Sequence, residues 1–313
     1  MKNINILITG CSGQLGRCIL DKINEYSSDE INIFHTDTDH TNLDIKDSTK
    51  IMSILNERDY DYLINCAAYT NVAKAEQDFE DKCLLANAYG PKILAECCSS
   101  KNVKLIHIST DYVFDGSAEV KTETSKTNPL NRYGKTKLLG DTEIISVAEK
   151  SNLEYMILRT SWVYSEYGTN FVKTIFNKLA NHENAEVVYD QIGSPTYAGD
   201  LANFIIKKVI VENNFVSGIF NYSNLGNISW YDFAKEIEET MLANVTKNVK
   251  NHIGIVYPTI TNVNILGVQR PMIGILSKDK LLNTFGKSED VTRYWNIPLK
   301  IVLRKLIQEK YDE

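Results

Sequence analysis

The stretch Ile4-Asn5-Ile6-Leu7-Ile8-Thr9-Gly10-Cys11-Ser12-Gly13-Gln14-Leu15-Gly16 decides the fold of this 313-residue chain. Its first six residues form a short apolar run that reads as a buried strand. Glycines at a spacing of three follow at once, and Leu15, Ile19, Leu20 and Ile23 then recur at helical period. Strand, glycine turn and helix in that order make a dinucleotide cradle. Gly10 permits the tight turn, Gly13 lets backbone amides approach a pyrophosphate, and Gly16 allows the helix to pack closely on the strand. The helix start at Gln14 and Leu15 then offers free N–H groups and a positive dipole end to a diphosphate. The spacing is Gly-x-x-Gly-x-x-Gly, not Gly-x-Gly-x-x-Gly, so the strand-turn-helix context carries the reading. Glycines that merely end a strand are the plain alternative.

A second apolar run, Ile31-Asn32-Ile33-Phe34-His35-Thr36, leads into Asp37. That acid falls about twenty residues past Gly16, where a carboxylate commonly binds the adenosine ribose hydroxyls. Asp39 competes for the role, and both acids also suit a plain turn. No arginine stands between Ile31 and Asp47 to receive a 2′-phosphate. The reading therefore leans to NADH over NADPH.

Strand and helix patterns keep alternating. A helix is expected over 49–56, a strand over Tyr62-Leu63-Ile64-Asn65-Cys66, and a helix over 81–101. The strand Val103-Lys104-Leu105-Ile106-His107-Ile108 runs into Ser109-Thr110-Asp111, Tyr133 opens a helix, and Tyr155 to Arg159 form a further strand. This order predicts an α/β, Rossmann-type, doubly wound parallel sheet with a smaller C-terminal substrate-binding lobe. The expected division is 1–165 for the nucleotide-binding domain, with a return near 200–222, and 166–313 for the lobe. Helices over 171–179, 230–242, 278–285 and 299–309 are assigned to the lobe, and the asparagine-rich 244–251 reads as a surface loop. Ligands collect outside the carboxyl ends of parallel strands, and Gly10, Asp37, Ala67 and Thr110 all fall there.

Composition narrows the class. The net charge is −6 and the lysines are dispersed, which speaks against a nucleic-acid surface. No apolar stretch approaches the length of a membrane span, and the run at Ile4 is too short for a signal peptide. Six cysteines show neither metal-ligand spacing nor a secreted framework, so a reducing cytoplasm is expected.

Tyr133-Gly134-Lys135-Thr136-Lys137 supplies the chemistry. On a helix, Tyr133 and Lys137 share one face a turn apart. A nearby cation favours the phenolate, so Lys137 is expected to draw the Tyr133 phenol down from about 10. A phenol tuned that way can protonate a carbonyl oxygen under reduction. Taken alone the pair is a weak signal, since solvated helix faces produce it by accident.

Beyond these signals, several segments resemble the extended short-chain dehydrogenase/reductases, and within them the dTDP-4-dehydrorhamnose reductase branch. They are the glycine turn, Asn65-Cys66-Ala67-Ala68-Tyr69-Thr70, and Ser109-Thr110-Asp111-Tyr112-Val113-Phe114-Asp115-Gly116. Pro129-Leu130-Asn131 before Tyr133, Arg159-Thr160-Ser161-Trp162-Val163-Tyr164, and Asp190-Gln191-x-Gly193-x-Pro195-Thr196 follow in family order. The resemblance implies Tyr133 as general acid, Lys137 on the nicotinamide ribose, and Thr110 bonded to the substrate carbonyl. It implies that Gly10, Gly13, Gln14, Leu15 and Gly16 hold the diphosphate, with Asp37 on the ribose and Asp44 and Ile45 at the adenine. Ala67, Ala68, Tyr69 and Ile108 would line the cofactor, and Asn87 would orient the site from its helix. Thr110, Asp111, Tyr112, Trp162, Asn170, Gln191 and Arg270 would face a dTDP-sugar.

The implied activity is NADH- or NADPH-dependent reduction of the C4 ketone of a dTDP-4-dehydro-6-deoxyhexose for surface polysaccharide, by a monomer or homodimer. Departures cluster late. Arg270-Pro271-Met272-Ile273-Gly274-Ile275-Leu276 has Ile273 and Gly274 where the family tends to carry Asn and Ser. Ala73 or Ala75 stands where aspartate is frequent, and Cys18 stands where some members offer a carboxylate for a metal-linked dimer, so no metal is expected. Two alternatives stay open: a sister reductase for another 4-keto sugar nucleotide, and a non-catalytic regulatory subunit with the same fold. Trp162 as a plain core aromatic and Asn87 as a plain helix residue are the bland readings of those positions.

Overall fold

The computed structural model describes residues 2–28, 31–246, 250, 252–262 and 267–311. Thirteen strands occur in the described part: β1 (Lys2–Thr9), β2 (Ile31–Thr38), β3 (Tyr62–Asn65), β4 (Lys104–Thr110), β5 (Tyr155–Thr160), β6 (Val163–Tyr164), β7 (Ala185–Val188), β8 (Ile192–Gly193), β9 (Thr196–Tyr197), β10 (Gly218–Tyr222), β11 (Ile228–Ser229), β12 (Val256–Thr259) and β13 (Ile273–Gly274). Six of them make one parallel sheet in the order β10-β5-β4-β3-β1-β2. The order reverses at β1, so the crevice outside its carboxyl end is where such a sheet binds ligands.

Both faces of the sheet are covered, as continuous apolar strands require. Ile6 and Ile8 face the helix Gln14–Tyr26 and the paired segments Ala198–Asn203 and Phe204–Val211. Leu7, Leu63 and Leu105 face the helices Ser48–Glu57, Gly90–Lys101 and Arg132–Glu149. A separate core joins the helices Phe171–Ala180, Trp230–Asn244 and Asn296–Tyr311 around Phe176, Phe233 and Leu303.

The strands and helices predicted along the first half are present with ends shifted by one or two residues. The expected helix over 81–101 holds a π-helical turn at Leu85–Tyr89. The helix Asp279–Phe285, expected in the lobe, instead packs Leu281 and Phe285 on the main core, with Phe285 edge-on to Phe204 and Phe220. Aromatic complementarity outweighed chain proximity there. Of the asparagine-rich stretch, 247–249 and 251 lie outside the described residues. All six cysteines are free.

Candidate active site

The carboxyl ends of the strands open into a cavity of about 880 Å³. Its floor is the glycine turn. Gly10 has φ +71°, and a Cβ there would lie 2.6 Å from the Ala67 nitrogen, so backbone conformation and close approach both demand glycine. Gly16 packs against Cys11 in the same way, with 2.5 Å to its Cα. Gly13 opens the helix Gln14–Tyr26 without a side-chain cap, and its N–H groups are left for an incoming anion.

Beyond β2, Asp39 lines the cavity with Ser12 and His40. Asp37 lies inside β2, exposed beside His35, and does not. The strand runs beyond its expected apolar run, which ended at Thr36, to Thr38, which moves the available carboxylate to Asp39. Hydrogen bonds from Thr41 hold the Asp39 carboxyl below its usual range. Asp44 and Ile45 also stand off the cavity: Ile45 is buried beside Gly90, and Asp44 pairs with Lys46.

Ala67, Ala68 and Ile108 form one wall. Tyr69 is outside it, but Asn87 fixes its backbone on both sides. Tyr69 N–H donates to Asn87 Oδ1 at 2.8 Å, and Asn87 Nδ2 donates to Tyr69 O at 3.0 Å. Asn87 sits in the π-helical turn, fully buried, and also donates to Thr136 Oγ1 at 3.2 Å. It is neither a plain helix residue nor a lining one; it ties the loop after β3 to the Tyr133 helix.

Tyr133 and Lys137 lie on the cavity face of the helix Arg132–Glu149, started by Asn131, whose Oδ1 accepts from Gly134 N at 2.8 Å. Tyr133 packs edge-on to Tyr112 at 5.6 Å and lines the same cavity as Thr110. The expected lowering of its pKa is corrected here: burial pushes the phenol up, and the neighbouring Thr110 hydroxyl only moderates the rise. Lys137 turns its Nζ to Ile108 O at 2.7 Å and to His107 Nε2 at 3.2 Å and makes no hydrogen bond to the phenol. Burial pushes Lys137 itself down to about 8. Burial also pushes the Asp111 carboxyl up to about 7, against the hydrogen bond it accepts from Thr110 Oγ1 at 3.1 Å.

Across the cavity, Trp162 adopts φ +47°, an outlier for a bulky residue. Stacking on Trp230 at 3.6 Å holds it there, and a side chain at Gly193 would collide with the indole at 2.5 Å. Asn170 lines the cavity and donates to Gln14 Oε1 at 2.9 Å, tying the glycine turn to the lobe. Gln191 does not line it; its Nε2 donates to Thr261 Oγ1 at 2.9 Å. Arg270 does, with a buried Nε that has no hydrogen-bond partner among the described residues. Sequence reasoning missed Trp230, Phe171 and Ser161 on this wall. Ser161 lies in the Arg159–Tyr164 segment beside Trp162, whereas no motif marks Trp230 or Phe171, and the nearest signal is the capping box of Ser229 and Asp232 that starts the Trp230 helix. Among the described residues no cluster of three metal-ligating side chains occurs, and no helix is long and apolar enough to cross a membrane.

An uncapped helix start over a glycine turn, with a phenol, a hydroxyl and a lysine along one wall, fits a nicotinamide dinucleotide. Fold and site together define a nicotinamide-dependent reductase of the short-chain dehydrogenase type. The chain belongs to the family described as the RmlD substrate binding domain, whose model matches residues 4–307. It is 37% identical over 289 residues to a dTDP-4-dehydrorhamnose reductase of Aggregatibacter actinomycetemcomitans, covering 90% of this chain and 93% of that one. Two solved structures are similar throughout. A dTDP-4-dehydrorhamnose reductase from Clostridium acetobutylicum is 38% identical with a TM-score of 0.82, over 97% of this chain and 99% of that one. The Bacillus anthracis enzyme of the same name, in complex with NADP, is 33% identical with a TM-score of 0.81, over 97% and 100%.

Proposed function

We propose that this protein reduces the C4 ketone of dTDP-4-dehydro-L-rhamnose to give dTDP-L-rhamnose, a precursor of surface polysaccharide. The observation that carries the reading is the convergence of Tyr133, Thr110 and Lys137 on one cavity, between the glycine turn and the Trp162–Arg270 wall. The names of the similar proteins support it. Residues 1–165 with the return at 200–222 serve as the cofactor-binding part, and 166–313 chiefly as the sugar-nucleotide lobe.

Gly13, Gln14 and Leu15 hold the cofactor diphosphate, Asp39 its adenosine ribose, and Lys137 its nicotinamide ribose. The bound nicotinamide supplies a hydride. Tyr133 gives its phenolic proton to the ketone oxygen as negative charge develops there. Thr110 steadies that oxygen with a hydrogen bond, and Asp111 orients Thr110. Trp162 and Trp230 shape the sugar site, and Arg270 takes the substrate diphosphate in a charge-assisted contact. A carboxylate at Asp39 disfavours a 2′-phosphate, so NADH is the preferred reductant.

The test is loss of nicotinamide absorbance with dTDP-4-dehydro-L-rhamnose, with NADH and NADPH in parallel. Turnover with NADH exceeding that with NADPH supports both parts. NADH binding without turnover would move the assignment to another 4-keto sugar nucleotide. One observation favours that second reading: Gly274 leaves the Asp111 wall without the side chain expected there.

A further inference from the structure

Thr9, Asn65, His107 and Lys137 lie in a line beneath the cavity, each no more than 2% exposed. The first three are cross-strand partners, Thr9 and Asn65 at the ends of β1 and β3 and His107 midway along β4: Thr9 pairs with Asn65 and Asn65 with His107 in the sheet register. Thr9 Oγ1 donates to Asn65 Oδ1 at 2.7 Å, and Ala67 N–H donates to the same oxygen at 3.1 Å. Those two donors fix the amide, so Asn65 Nδ2 faces His107 Nδ1 at 2.9 Å. An amide nitrogen only donates, so Nδ1 must accept. Burial keeps the imidazole neutral, holding His107 well below its usual range. Its single proton therefore sits on Nε2, which faces Lys137 Nζ at 3.2 Å.

An uncharged amine suits this setting. It accepts the Nε2 proton, donates to Ile108 O at 2.7 Å and keeps one N–H for the cavity. An ammonium instead meets a donor and needs further acceptors, which a cofactor ribose would bring.

We propose that His107 is a positioning residue for Lys137, held as the Nε2–H tautomer by Asn65 and Thr9 so that its ring proton is aimed at the lysine amine. The ladder thereby links the Lys137 charge to the Ala67 amide of the cofactor wall. Removing the ring donor favours the ammonium. The other titratable groups around Lys137 are Asp141 and Tyr133 on its own helix, Cys83 on the helix Lys82–Leu84 and Cys66 after β3. Asp141 is itself engaged by Arg159 at 3.1 Å. None of them supplies the Nε2 proton, so the tautomer is the distinguishing feature.

The proposal rests on the reading of Lys137 as a cofactor-binding group, and two measurements separate the two. Nitrogen-15 NMR of histidine-labelled, ligand-free protein, assigned by the signal missing in His107→Gln, should show a neutral ring protonated at Nε2. A ring protonated at Nδ1, or at both nitrogens, overturns the proposal without any functional assay. NADH dissociation constants are then followed against pH, with no sugar present. Wild-type binding should weaken as Lys137 loses its proton. In His107→Gln, whose amide oxygen can accept from an ammonium, that weakening should begin about one pH unit higher. An unshifted profile overturns the proposal alone. If Lys137→Met keeps the wild-type pH dependence of binding, the cofactor role of Lys137 fails instead.

Discussion

Lys137 Nζ donates to the carbonyl oxygen of Ile108 at 2.7 Å, one helical turn from Tyr133. The lysine is thus anchored to the end of β4 and not to the phenol, and burial keeps Tyr133 protonated. A proton donor in a reduction needs that state. Tyr133→Phe should retain NADH binding and lose about 10²- to 10⁴-fold in turnover. Cofactor fluorescence titration beside steady-state rates checks it, and near-normal rates would remove Tyr133 as the acid.

Asp111 gives a pH dependence with a definite sign. Its carboxyl, pushed up to about 7, is uncharged below that pH and ionised above it. The ionised form captures the Thr110 hydroxyl proton through the 3.1 Å bond, whereas the acid form can donate to Thr110 and free that proton for substrate. We expect kcat/KM to fall as pH rises through about 7. In Asp111→Asn, whose amide remains a donor, this inflection should vanish.

Gly274 lies directly against Asp111: a Cβ there would sit 2.6 Å from Asp111 Oδ2. Gly274→Ser should therefore displace the carboxylate and reduce kcat/KM by about tenfold, roughly the 1.4 kcal/mol of one misplaced contact. NADH affinity should not change. A weakened cofactor site in this variant would count against the division of the cavity.

Gly10→Ala meets both positive φ and the Ala67 backbone. The expected cost is about 1–3 kcal/mol of strain, with loss of dinucleotide binding. Thermal melts with and without NADH measure both, and the wild-type melting shift on adding NADH should be absent.

Trp230→Ala should leave cofactor affinity intact and raise the sugar-nucleotide KM several-fold, because it removes the ring that holds Trp162 at φ +47°. Steady-state kinetics at saturating NADH reads this directly.

The order of strands and helices, the glycine turn and the Tyr133–Lys137 face are all legible in the amino-acid sequence. Each of these depends on residues close in the chain, where apolar period, turn chemistry and helical spacing act locally. Tertiary structure decided what depends on distant residues. It extended β2 to Thr38 and so put Asp39, not Asp37, at the cavity. It turned Gln191 away to Thr261 and brought Trp230 onto Trp162. It also reversed the expected shift of Tyr133, because the desolvation of a group is set by every segment that packs around it, and helical spacing counts one neighbour alone.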